Sequence, residues 1–242
     1  MNANVDIFPD ADALARAAAE RIVALSAEAV AARGQFGIGL SGGSTPRALF
    51  RLLVTEEFAP RIDWPRVHVF WGDERCVPPD HPDSNYRMTR ETLLDLVPLP
   101  EDNICRIRGE IDPQQAAAEY EQVLRVFFSN ADTPRFDLLL QGMGDDGHTA
   151  SLFPGTRALY ERTRWVIENY VPKLEMWRIT LTAGAINAAA HVWFLVAGQN
   201  KAATLRAVLN GPRHPEKYPA QLIQPTDGEL VWMADAAAAA LL

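Results

Sequence analysis

The sequence predicts a single α/β domain built on a mostly parallel sheet with helices on both faces. Short apolar strands alternate with helical stretches along the whole chain, the pattern of a doubly wound sheet. Phe136–Gln141 is apolar almost throughout, as expected of a strand buried on both faces. Neither an internal repeat nor a low-complexity linker interrupts the alternation, and the Pro-rich stretch at 78–82 is too short to separate domains. The 242 residues are therefore taken as one domain.

Residues 10–33 are Ala-rich, with Leu14, Ile22, Leu25 and Val30 set among charges, and read as a long helix ended by Gly34. A strand at 36–40 runs into Ser-Gly-Gly-Ser-Thr-Pro, where Pro46 suits the first turn of the next helix because it has no N–H to leave unpaired. A second strand covers 66–71, and a helix covers 84–95 with Ser84 as its cap. A helix at 112–128 precedes the strand at 136–141. Further strands are expected at 165–168, 178–182 and 192–197, with a helix at 201–209. Residues 210–228 read as a structured loop, 229–233 as a last strand, and 235 onward as a short Ala-rich helix capped by Asp235.

Composition narrows the function. Hydrophobic residues make up 48% and charged residues 22%, ordinary for a soluble globular chain. The net charge of −8 and the lack of a basic stripe argue against a nucleic-acid partner. An anionic ligand would need a local positive field supplied by its own pocket. The N-terminus lacks the basic and apolar regions of a signal peptide, and no apolar run approaches the roughly 18 residues of a membrane span. The expectation is a cytoplasmic protein without a membrane contact, its oligomeric state open with a monomer the simpler case. Cys76 and Cys105 form no CxxC pair; buried reduced thiols are expected, with a reactive thiolate at Cys76, beside Arg75, as the alternative.

In such a sheet, ligands bind beyond the carboxyl ends of the strands. Three loops fall there. Ser41-Gly-Gly-Ser-Thr-Pro46 sits between a strand and a helix, where Gly42 and Gly43 permit close backbone approach, Ser44 and Thr45 add hydroxyls, and the helix start offers free N–H groups to a phosphate. The alternative is a plain turn with a helix cap. Gly72-Asp-Glu-Arg-Cys76 brings Asp73, Glu74 and Arg75 to the sheet edge; Arg75 can fork onto a phosphate or carboxylate, or belong to a solvated charge cluster. Asn85 and Arg87 follow, either in the site or on a helix surface.

Gly142-Met-Gly-Asp-Asp-Gly-His148 is the third loop. It fits GxGxxG after a strand, but Asp145 and Asp146 would repel a pyrophosphate. The other match, at 37–42, begins at a helix end and alternates like a strand. His148, just past the last glycine, suits a general base, since imidazole titrates near neutral pH; the alternative is a structural or capping histidine. Lys201, after the strand at 192–197, is placed to reach an anion near these loops, or is an ordinary surface lysine. The remaining histidines have no metal-ligand spacing, and no GxSxG elbow is present, so neither a metal nor a serine nucleophile is expected.

With these loops in view, the chain closely resembles the 6-phosphogluconolactonases. The resemblance rests on LSGGSTP at 40–46, WGDERCVPPDHPDSNY at 71–86, FDLLLQGMGDDGHTASLFPG at 136–155 and WRITLTAGAINAAAHVWFLVAGQNKA at 177–202, with a C-terminal PAQLIQPTDGELVWMADAAAA of the same type. It implies a fold shared with glucosamine-6-phosphate deaminases and ribose-5-phosphate isomerases. The deaminases carry a catalytic glutamate shortly after the histidine, where this chain has Phe153. The implied reaction is hydrolysis of 6-phospho-D-glucono-1,5-lactone, the second step of the pentose phosphate pathway, without metal or organic cofactor. The implied roles are His148 as base, Asp146 holding its tautomer, Arg75 or loop N–H groups on the oxyanion, and phosphate held by the 41–45 loop with Lys201 and Arg178; which cation touches phosphate stays open. Asp73 joins the substrate site, and would be the carbon-acid base if the chain were instead an isomerase or deaminase. A non-catalytic sugar-phosphate sensor is the third possibility; it would not need the Asp146–His148 loop.

Overall fold

The computed structural model describes residues 4–129 and 131–242. Six parallel strands form the main sheet in the order β1 (Asn4–Phe8), β9 (Glu229–Asp235), β8 (His191–Val196), β5 (Leu138–Gln141), β2 (Phe36–Leu40) and β3 (Val67–Trp71). Three further strands, β4 (Asp73–Arg75), β7 (Met176–Leu181) and β6 (Val166–Val171), make a separate antiparallel sheet. The strands expected at 165–168 and 178–182 thus leave the main sheet and pair with each other. Their partner β4 lies in what reads as a loop in sequence, and the edge strand β1 has no counterpart in the sequence expectation. Both gain strand character from pairing with distant segments rather than from an apolar pattern of their own.

The helices follow their local signals. In α1 (Ala11–Arg33) the Asp10 carboxylate accepts from the Ala13 N–H at 2.8 Å, and Gly34 closes the helix with φ +77°. α3 (Asn85–Thr92) is capped by Ser84 and α4 (Pro113–Phe127) by Asp112 with proline in its first turn. α2 (Ser44–Leu53) and α6 (Ala202–Asn210) start without a side-chain cap, whereas Thr182 caps α5 (Ala183–Asn187). The Ala-rich helix expected after Asp235 does not form. That segment is a series of turns in which Asp235, the last residue of β9, accepts from the Ala238 N–H at 2.7 Å and from the Gly198 N–H, tying β9 to the loop after β8. Residues 210–228 are ordered around buried Gln221, whose amide donates to the carbonyls of Ala207, Val208 and Pro212.

One continuous apolar core underlies both sheets. α4 joins them: the Tyr120 hydroxyl is fully buried and bonds both N–H and C=O of Trp71 at 2.9 Å, while the helix packs along β6 and β7. The glycines of the GxG stretch in β2 have a packing cause. A Cβ on Gly39 would fall 2.1 Å from Leu139 Cδ2, and Gly37 donates its N–H to Asp137 at 2.7 Å. Gly39 thus makes room for Leu139 of β5 and Gly37 for Phe127 of α4, and neither takes part in a nucleotide loop.

Candidate active site

β2 and β5 are neighbours, yet the chain leaves β2 toward β3 and leaves β5 toward β8. That divergence opens a crevice at the carboxyl end of the sheet, the usual ligand site of open α/β sheets. The loops at 41–43 and 142–151 therefore face each other there, and the turn at 197–201 leaves β8 beside them. The two loops are in near contact: a Cβ on Gly142 would sit 3.6 Å from Ser41 Oγ.

The 142–148 loop is wound tightly around His148. Gly144 donates its N–H to the His148 carbonyl at 2.8 Å, and Gly147, at φ +78°, donates back to the Gly144 carbonyl at 3.0 Å. Asp146 Oδ1 lies 2.5 Å from His148 Nδ1 and also accepts the His148 backbone N–H at 3.2 Å. Lys173, from the turn between β6 and β7, holds Asp146 Oδ2. Burial would raise the Asp146 carboxyl, but the hydrogen bonds from His148 and Lys173 outweigh it and keep the group well below the usual carboxylate range. The imidazole stacks on Phe153 at 3.9 Å with the rings 20° apart. Ala150, two residues on, holds φ +46°, a backbone strain kept within the same loop.

Buried Asp73 organises the neighbouring wall. It accepts from Ser151 Oγ at 2.6 Å and from Asn85 Nδ2, and lies 3.9 Å from Arg178. A Cβ on Gly42 would meet Asn85 Oδ1 at 2.0 Å, so the same asparagine packs under the glycine loop. Glu74 is equally buried and accepts the N–H groups of Arg75, Asn85 and Tyr86 and the Ser84 hydroxyl, which folds the 73–86 segment onto itself. Burial pushes its carboxyl above the ordinary range, with the backbone hydrogen bonds opposing.

Arg75 and Arg178 stand directly opposite on the β4–β7 ladder, so both side chains share one face. Like charges in that position repel. Among the described residues the buried Nε of each has no hydrogen-bond partner. Burial lowers the Arg178 pKa, Asp73 opposes this and Arg75 adds to it. Arg178 also lies 5.9 Å above the Phe153 ring. Each guanidinium thus keeps donor capacity at its Nε, and Arg178 lies over the ring on which His148 stacks.

At the glycine loop, Gly43 takes φ +109° and α2 begins with no side-chain cap and no acid in its first turn. Among the described residues, no side chain caps its leading N–H groups, and Ser44 and Thr45 sit in the same first turn. Lys201 is bound to Asp145, which Asn200 and Thr204 also hold, so this cation is fixed at the rim of the His148 loop.

The residues singled out in sequence therefore gather around one crevice: His148 with Asp146, the 42–45 loop, Asp73, Arg75, Arg178 and Lys201. Arg87 does not join them; it pairs with Glu91 on its own helix and donates to the Asp80 carbonyl. Arg75 donates similarly to the Asp83 carbonyl, so the 78–83 segment is held by arginines at Asp80 and Asp83. Burial pushes the Cys76 thiol up to about 11, and that of Cys105 likewise, which weighs against a reactive thiolate at Cys76. Lys173 and the supporting role of Phe153 had no signal in sequence, since each meets the His148 loop only through the tertiary fold. Among the described residues, no cluster of three or more His, Cys, Asp or Glu side chains is arranged for a metal, and no helix is long and apolar enough to cross a membrane.

Comparison with known proteins places the chain in a family. The family model described as glucosamine-6-phosphate isomerases/6-phosphogluconolactonase matches residues 9–232. A 6-phosphogluconolactonase of Nostoc sp. is 44% identical over 245 residues, covering 100% of this chain and 99% of its own. The solved structure of a 6-phosphogluconolactonase from Trypanosoma cruzi superposes with a TM-score of 0.88 at 29% identity, covering 100% of this chain and 98% of that one. A monomeric glucosamine-6-phosphate deaminase shares the fold, with a TM-score of 0.83 at 20% identity over 99% of this chain and 100% of that one. The chain belongs to the glucosamine-6-phosphate isomerase/6-phosphogluconolactonase family.

Proposed function

We propose that this protein hydrolyses 6-phospho-D-glucono-1,5-lactone to 6-phospho-D-gluconate, with His148 as general base on water. The observation that carries the proposal is the imidazole at the sheet's switch point, bound through Nδ1 to Asp146 and stacked on Phe153. With Nδ1 donating to the carboxylate, Nε2 is the proton-accepting atom of the neutral ring.

The phosphate is held by the leading N–H groups of α2, Ser44 and Thr45, the close-approaching Gly42 and Gly43, and the cations Lys201 and Arg178. That anchor fixes the lactone carbonyl relative to His148 and converts phosphate binding into orientation of C1. His148 Nε2 takes a proton from water as its oxygen attacks C1. The tetrahedral oxyanion is stabilised by Arg75 or by N–H groups of the His148 loop. Collapse breaks the bond from C1 to the ring oxygen, and the imidazolium returns its proton to that leaving oxygen. Asp146 stays ionised throughout, stabilising the imidazolium and fixing the tautomer.

Asp73 supports the site by holding Arg178 and Ser151 in place. Its carboxylate is already engaged, which weighs against its acting as the carbon-acid base of an isomerase or deaminase. Phe153 adds to this, because it places an apolar ring, not a carboxylate, beside the histidine. On this reading the substrate is a small sugar-phosphate lactone, neither nucleic acid nor a membrane is a partner, and the protein works in the cytoplasm, its oligomeric state open.

The test supplies fresh lactone to wild type and His148→Ala and follows acid release. Wild type should exceed the spontaneous rate clearly, and the variant should lose roughly 10²–10⁴-fold in kcat. Wild type at the spontaneous rate would end the proposal. A fully active variant would remove His148 from it, and ammonia release from glucosamine 6-phosphate would favour a deaminase.

A further inference from the structure

We propose that Lys173, at the tip of the β6–β7 hairpin, is a positioning residue that clamps both supports of His148 and sets the acid limb of the pH–activity profile. The proposal rests on the hydrolytic role given to His148 above. Lys173 Nζ binds the Asp146 oxygen that His148 does not use, so the carboxylate bridges ammonium and imidazole. The same Nζ lies 5.6 Å above the Phe153 ring, whose face carries the imidazole. One side chain therefore touches the group that orients the base and the group that carries its face.

The hairpin presents this lysine in a defined place. Its two strands pair through six residues each, from Val166↔Leu181 to Val171↔Met176. Pro172 opens the short turn, Glu175 closes it at φ +49°, and the Glu175 N–H donates to the Pro172 carbonyl at 3.1 Å. Tyr170 and Trp177 pack against each other at 5.4 Å just below the tip.

Stability is not the purpose of the contact. The lysine side chain is 58% exposed, and exposed ion pairs contribute little to folding. Its effect is local. A positive charge beside Asp146 opposes a second one arriving on the imidazole, and it also draws on the carboxylate that would stabilise the imidazolium. Both effects disfavour protonation of the base. The other charged or titratable groups facing the pair are compensated or further off. Asp145 is bound to Lys201, Arg178 lies beyond Phe153 against Asp73, and Tyr218 packs on Gly147 with Lys217 over its ring.

The experiment compares wild type, Lys173→Met and Lys173→Arg in pH profiles of kcat/KM, and in the downfield proton resonance of the His148–Asp146 hydrogen bond. In Lys173→Met the acid limb should move to higher pH by roughly half a unit, which is roughly threefold in rate below the limb. KM should hold, and the resonance should move further downfield because Asp146 becomes a stronger acceptor. Lys173→Arg should restore the limb. A raised KM with an unmoved limb would overturn the proposal and make Lys173 a substrate contact; no change in either limb or resonance would overturn it as well. If wild type fails to hydrolyse the lactone while the resonance still moves, the hydrolytic reading falls and the clamp stands.

Discussion

Gly144→Ala probes how closely the base is placed. Gly144 is not among the residues with left-handed backbone, so alanine costs the main chain little there. The added methyl would lie 2.1 Å from both Cε1 and Nδ1 of His148 and 2.8 Å from Asp146 Oδ1. Real Cβ contacts essentially never fall below 3.0 Å, so the ring must retreat by about 1 Å. A displacement of about 1 Å from productive geometry costs on the order of 10²-fold in rate. The loop itself need not break, because the Gly144 N–H can still donate to the His148 carbonyl. The assay is kcat/KM for fresh lactone alongside thermal unfolding. Activity should fall on the order of 10²-fold, with Tm kept within about 4 °C, the equivalent of about 1 kcal/mol in a chain of this size. An alanine variant with near-wild-type activity would show that His148 is not held where the hydrogen bonds place it. Loss of activity together with the fold would show that the glycine serves the loop and not the base.

Two other outcomes follow from the site. Lys201→Ala removes a charge-assisted contact proposed for phosphate, so KM should rise by roughly tenfold or more with kcat less affected; an unchanged KM would confine Lys201 to its pairing with Asp145. The Cys76 and Cys105 thiols, pushed up to about 11 by burial, should alkylate slowly with iodoacetamide at neutral pH, and faster as pH rises toward that value because only the thiolate reacts; rapid labelling of the native protein at pH 7 would contradict it.

Much of the chain announces itself locally. Asp10, Ser84 and Asp112 cap the helices they seem to begin, and Gly34 ends α1 in the left-handed conformation. Capping needs only a few adjacent residues, so it survives in the sequence. Asp235 shows the limit of such signals. It has the residue type of a helix cap and an Ala-rich segment behind it, yet its carboxylate is shared between Ala238 and Gly198 and no helix follows. β4 is likewise invisible as a strand in Asp73-Glu-Arg75, because its backbone partners lie on β7, about a hundred residues away.

The sequence by itself determined the fold class, the glycine-rich loop, the loop that carries His148 and the family, because each is carried by contiguous residues of distinctive type. Only the tertiary structure decided how those pieces meet. It set β2 beside β5 so that their loops share a crevice, and placed Arg178 opposite Arg75. It also brought Lys173 onto Asp146 and laid His148 on Phe153. The physical reason is range. Caps and turns are short-range hydrogen bonds, whereas a strand register, a bridged carboxylate and a stacked ring arise between groups that become neighbours only once the sheets have formed.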